Sequence, residues 1–171
     1  MKNILPLVTL FLIPVALPAG EADHYLTADG KLKHTLEFRD EQGGIAGFTG
    51  TAWVIEADGS WQVGRTFMNQ IKGEPLRKGQ LSAKQLQALG HQLRLHKLHK
   101  LPEKLGEEPR VNPHQLTLRF GEHTSRLIIA PMTELTEAVP AANDDNAKEY
   151  SRFIALAVVI QHWAQAKADS K

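Results

Sequence analysis

Three histidines, His91, His96 and His99, form the densest set of metal-ligating side chains in this chain of 171 residues. Zinc-binding pairs on a helix sit four apart with a glutamate between them, so that both rings reach one ion. Here the spacings are five and three, with no glutamate between, and Lys97 and Lys100 flank His99 and repel a cation. The three histidines read better as the surface of a basic helix end, where positive charge complements the helix dipole. No metal site and no cofactor are expected.

A nucleophilic triad fares no better. The chain has no Gly-x-Ser-x-Gly elbow, which would hold a serine on a strained strand-to-helix turn. Ser60 falls in a hairpin turn, Ser82 at a helix cap, and Ser125 and Ser151 in regular elements. Asp144 and Asp145 are adjacent in a polar stretch before a helix and read as capping residues. The spacing from Asn143 to Glu149 does not supply the alternating oxygens of a calcium loop. Gly43-Gly44-Ile45-Ala46-Gly47 lacks the Lys-Ser or Lys-Thr of a phosphate loop. Its glycines suit a turn between antiparallel strands. Ile45 and Phe48 lie on or next to that turn. They either tuck into the core or stand out as a protein-binding edge made of Gly43, Gly44, Ile45, Gly47 and Phe48. A catalytic set is not expected.

The elements that position these residues follow from periodicity. Leu32, Leu36 and Phe38 alternate with Lys33, Glu37 and Arg39, predicting a half-buried strand over residues 32–39. Residues 40–50 read as a glycine-rich turn. Residues 51–56 and 61–67 are strands joined through Asp58-Gly59, the strongest short hairpin signal. Residues 69–79, with glycine, proline and charge, read as a loop. Ser82 and Gln85 form a capping box, with Leu81 and Leu86 as its hydrophobic staple. A helix over about residues 83–96 buries Leu86, Leu89 and Leu93. Two further strands, residues 114–120 and 125–130, turn about Gly121. After a connector at residues 131–146, a final helix lines Tyr150, Phe153, Ile154, Ala157, Ile160 and Trp163 or Ala164 on one face. Trp53 and Trp61 are expected in the core. The order β-β-β-α-β-β-α, with hairpin connections, predicts an α+β domain: an antiparallel sheet of about five strands with helices on one face.

Composition narrows the setting. Lys plus Arg is 20 and Asp plus Glu is 19. Such a balance does not suit nucleic acid as a partner and provides no polybasic membrane anchor. Cysteine is absent, so no disulfide, thiol chemistry or lipid-accepting cysteine enters. Lys2, the apolar residues 4–17 with Pro6 and Pro14, and Ala16-Leu17-Pro18-Ala19 resemble a secretory leader, too short and interrupted for a span. Cleavage is expected after Ala19 or as late as Ala22. The exported chain then has a flexible arm over residues 20–31, one domain over residues 32–165 and a polar tail over residues 166–171. Localisation is expected to be secreted or periplasmic, as a monomer, without lipid attachment and without membrane contact once the leader is gone.

The ordered features resemble one family. A strand enters Gly43-Gly44-Ile45-Ala46-Gly47, a hairpin follows, and a leucine-rich helix opens with Leu81-Ser82. Leu98-His99-Lys100-Leu101-Pro102, a strand pair over residues 116–130 and an apolar helix ending near Trp163 complete the set. This looks like emfourin, the proteinaceous inhibitor of protealysin and other thermolysin-like zinc metallopeptidases, over about residues 32–165. The resemblance implies a non-catalytic domain that occupies a metallopeptidase cleft with a loop or the N-terminal arm. The alternative is an exported binding or assembly module with no peptidase partner.

Overall fold

Alternating apolar residues set the faces of the strands. The computed structural model describes residues 23–107, 111–133, 135 and 146–165. Its elements are β1 (Leu36–Gly44), β2 (Gly47–Ile55), β3 (Ser60–Phe67), β4 (Gln70–Gln80), α1 (Ala83–Leu95), a 3-10 turn (Leu98–Lys100), β5 (Lys104–Leu105), β6 (His114–Phe120), β7 (His123–Ile129) and α2 (Ala147–Gln165). The seven strands form one sheet in the order β4-β3-β2-β1-β6-β7-β5. The α+β class holds. The sheet is larger than the five strands expected, and it is mixed, because β5 pairs parallel to β7.

One face of the sheet carries the core. Register places Leu36 against Ile55 and Phe120, and Phe38 against Trp53 and Leu118. These residues share a core with Trp61, Val63, Leu116, Leu127 and Ile129. Leu86, Leu89 and Leu93 of α1 and Tyr150, Phe153, Leu156, Ala157 and Ile160 of α2 join the same cluster. Trp53 and Trp61 are buried, as expected. The α1 start matches the sequence: the Ser82 hydroxyl accepts the Gln85 N–H while the Gln85 side chain accepts the Ser82 N–H.

Several boundaries differ. β1 starts at Leu36 rather than residue 32 and runs on to Gly44, leaving only Ile45 and Ala46 as the turn. Two neighbours, β2 and β6, hydrogen-bond it as far as Gln42, and such pairing holds an extended backbone despite glycine. Leu32 instead forms an isolated bridge with Leu26. Residues 70–80, read largely as loop, are β4. Met68 and Asn69 both take positive φ, 51° and 62°, which closes a tight hairpin of the primed kind. As an edge strand β4 tolerates Pro75 and its glycines. Its register slips opposite Gly64, where residues 73–76 bulge out.

The expected flexible arm is docked where it is described. Tyr25 is 1% exposed and Leu26 is 8% exposed. The Tyr25 hydroxyl lies 2.6 Å from His99 Nδ1 and accepts the His99 N–H at 3.1 Å. Asp23 pairs with Arg94 of α1. Two buried side chains in an irregular segment leave no periodic trace, which is why the sequence hides this anchor. The leader (residues 1–19, or to Ala22), the caps Asn143 to Asp145 and the tail lie outside the described residues. Among the described residues no helix is long and apolar enough to cross a membrane.

Candidate functional site

Two hairpin turns stand side by side at one end of the sheet. The first is Ile45–Ala46, closed by Gly47 at φ 99°, a conformation that favours glycine. Ile45 is 109% exposed relative to its reference state, so it does not enter the core. Phe48 is half-buried, on the face of the sheet that lacks helices. The second turn is Met68–Asn69. The Met68 N–H donates to the Phe48 carbonyl at 2.8 Å, which ties the two turns together. Met68 is 60% exposed and Phe67 is 40% exposed.

The sequence-derived candidates are thus brought together. Gly43 is buried, donates its N–H to Pro113 O at 2.7 Å, and has no room for a Cβ against Pro113. Gly44 pairs with Gly47 at the neck of the turn. Only Ile45, and in part Phe48, offer side chains; the three glycines shape the backbone. Met68 and Phe67 were not anticipated. Met68-Asn69 was the available signal, since asparagine tolerates positive φ, but methionine at such a position is uncommon.

Beneath this end lies a charged cluster on the helix-free face. Arg39 Nε donates to Glu37 Oε1 at 2.5 Å, and its Nη1 lies 3.9 Å from Glu41 Oε1. Nη1 also donates to the Asn69 carbonyl at 2.6 Å. Arg39 therefore clamps the second turn to the sheet. Glu37 and Glu41 are buried, at 8% and 1% exposure. Together with Phe48, Asn69, Thr117, Arg119, Thr124 and Arg126, these three charged residues line a trench of about 460 Å³.

Other chemical groups lie apart from this end or are already engaged. His91 is exposed, His96 caps α1, and His99 engages Tyr25 while its ring stacks on His24, with centroids 4.4 Å apart. Burial, reinforced by the positive charge of Arg152, lowers the His96 imidazole below its usual pKa. Among the described residues no three His, Asp or Glu side chains are grouped to hold a metal ion. On the core side of the sheet, His114 Nε2 and Asp40 Oδ1 pair at 2.6 Å. The Ser60 hydroxyl donates to Asp58, Ser125 to Pro102 O, and Ser151 to Ala147 O. No family model and no functionally described relative matches this chain.

Proposed function

We propose that this is an exported, non-catalytic protein-binding domain that inserts its paired hairpin turns into a partner's cleft. The observation that carries the reading is Ile45: a large apolar side chain fully exposed on a turn held by Gly47 and by the Met68–Phe48 hydrogen bond. Pre-ordered turns lose little conformational entropy on binding, so their apolar contacts count toward affinity. Apolar and aromatic anchors of this kind dominate interface energies. The emfourin resemblance supplies the partner class, a thermolysin-like zinc metallopeptidase, with the domain acting as its inhibitor.

The test is titration of the chain from Gly20 onward against a thermolysin-like peptidase, following cleavage of a small fluorogenic substrate. Stoichiometric loss of activity is expected, and the Ile45→Ala, Phe48→Ala double variant should weaken inhibition by at least tenfold. Full peptidase activity at large molar excess of intact protein would remove the inhibitor reading and leave a binding module with another partner.

A further inference from the structure

We infer that the helix-free face of the sheet holds a carboxylate-binding trench, built by Arg119, Arg126, Thr117 and Thr124, that receives an acidic segment of the protein partner; the partner's being a protein rests on the function proposed above. Register fixes the arrangement. Arg119 lies opposite Thr124 and Thr117 lies opposite Arg126 on β6 and β7. All four side chains point to the same face, because paired residues of an antiparallel ladder share a face and alternate along the strand. Each arginine thus sits diagonally from the other, about 7–8 Å apart at the backbone, with a hydroxyl beside each. Such spacing lets two guanidinium groups take successive carboxylates, or the two sides of one, with threonine hydroxyls as further donors.

Of the charged residues lining the trench, the two that are exposed are both arginines. Arg119 has 60% of its side chain exposed and Arg126 is exposed. Arg126 has no ion-pair partner among the described residues. The Arg119–Glu37 ion pair is loose, with Nε and Oε2 3.8 Å apart, beyond hydrogen-bond length. Glu37 and Glu41 also line the trench, but both are buried and paired with Arg39, so they compete little for a ligand; the exposed Glu103 and Glu122 share an adjoining cavity with Arg126 and Thr124 and bound the site on that side. The trench is continuous with Phe48, whose other neighbour is the second hairpin turn. A polypeptide can follow that path from the apolar turn to the two exposed arginines, whereas a flat lipid surface would meet only the projecting turns.

The experiment is an NMR titration of the isotope-labelled chain from Gly20 onward, which keeps every described residue. The probes are a short blocked peptide of alternating aspartate and glutamate, its asparagine–glutamine counterpart, and inorganic phosphate. Saturable shifts at the Arg119 and Arg126 Nε–H groups and the Thr117 and Thr124 amides are expected with the acidic peptide alone. Binding should weaken several-fold when salt is raised from low to physiological levels. Arg126→Gln should weaken it about tenfold, as loss of one charged hydrogen bond implies, while Arg65→Gln on β3 should leave it unchanged. Both arginines are exposed, so the variants should keep the native amide spectrum elsewhere. Equal shifts with the neutral peptide, retained binding in an Arg119→Gln, Arg126→Gln double variant, or binding of phosphate without the peptide would each overturn the inference. Acidic-peptide binding without peptidase inhibition would uphold the trench and remove the peptidase as partner; inhibition without any peptide shift would do the reverse.

Discussion

Arg39 shows how one residue links burial to function. It neutralises two carboxylates that are almost wholly out of water, and it anchors the carbonyl of Asn69 at a turn that carries exposed apolar side chains. Removing one partner of a buried charged cluster leaves the others desolvated and uncompensated, at a cost of about 3–5 kcal/mol. Arg39→Met is therefore expected to lower the free energy of unfolding, read from urea denaturation, by an amount in that range. Arg39→Met, Glu41→Gln should recover part of the loss, because one stranded charge is removed. A change below about 1 kcal/mol in Arg39→Met would mean that the two carboxylates find other partners. Ile45→Ala, by contrast, touches a side chain in water and should alter stability by less than about 0.5 kcal/mol. That separation makes loss of inhibition in the Ile45 variant readable as lost contact rather than unfolding.

At the scale of elements, helix α1 joins two demands. Its start is fixed by the Ser82–Gln85 box, and Ser82→Ala should cost about 1 kcal/mol by thermal or urea unfolding. Gly90 in the same helix is more telling. Replacing an interior helix glycine by alanine ordinarily stabilises by about 1 kcal/mol. Here an added Cβ would meet Leu26 Cδ1 and Cγ at 2.6 Å. Overpacking of that kind costs about 1–3 kcal/mol. Gly90→Ala is thus expected to destabilise, and to speed hydrogen exchange at Tyr25 and Leu26 by displacing the docked arm. A gain in stability would show that Leu26 moves aside freely and that the arm is held by Tyr25 and Asp23 instead. The β3–β4 ribbon is an element of another kind. It is an edge guarded by Lys72, Arg77, Lys78 and Pro75, residue types that discourage pairing with a second sheet.

For the whole molecule, stability rests on one core shared by the sheet, both helices and the N-terminal segment, with no disulfide to assist it. Its pH dependence has a definite sign at His96. Burial first, and Arg152 second, hold the folded imidazole below the usual 6.5. As pH falls below about 6.5 the unfolded chain takes up this proton before the folded one does. The stability present above that pH is then lost progressively, until the folded-state imidazole also titrates. His96→Gln should flatten this part of the urea-midpoint profile between pH 7.5 and 5. An unchanged slope in the variant would place the effect on other groups. At the alkaline end burial raises the Tyr25 phenol above 10.0, so the unfolded chain ionises first and stability declines as pH rises past that value.

The sequence by itself determined the α+β class, the hairpin at Asp58-Gly59, the capped helix at Ser82 and the inward tryptophans. Each is local: a turn needs a residue that accepts positive φ, a cap needs a hydroxyl at one position, and an inward face repeats every two or about 3.6 residues. It also marked the glycine turn and offered two fates for Ile45, without a way to choose between them. Only the tertiary structure decided that choice, because exposure depends on whether other chain segments cover the turn, and none of those described covers Ile45. It likewise decided that Met68 stands beside Phe48, that Arg39 is clamped between Glu37 and Glu41, and that Arg119 and Arg126 share one trench. The alternation in residues 114–120 and 123–129 sends these arginines outward, but only strand order and register say which outward residues become neighbours. Pairing between distant strands is set by the sum of many core contacts, and no short stretch of sequence contains it.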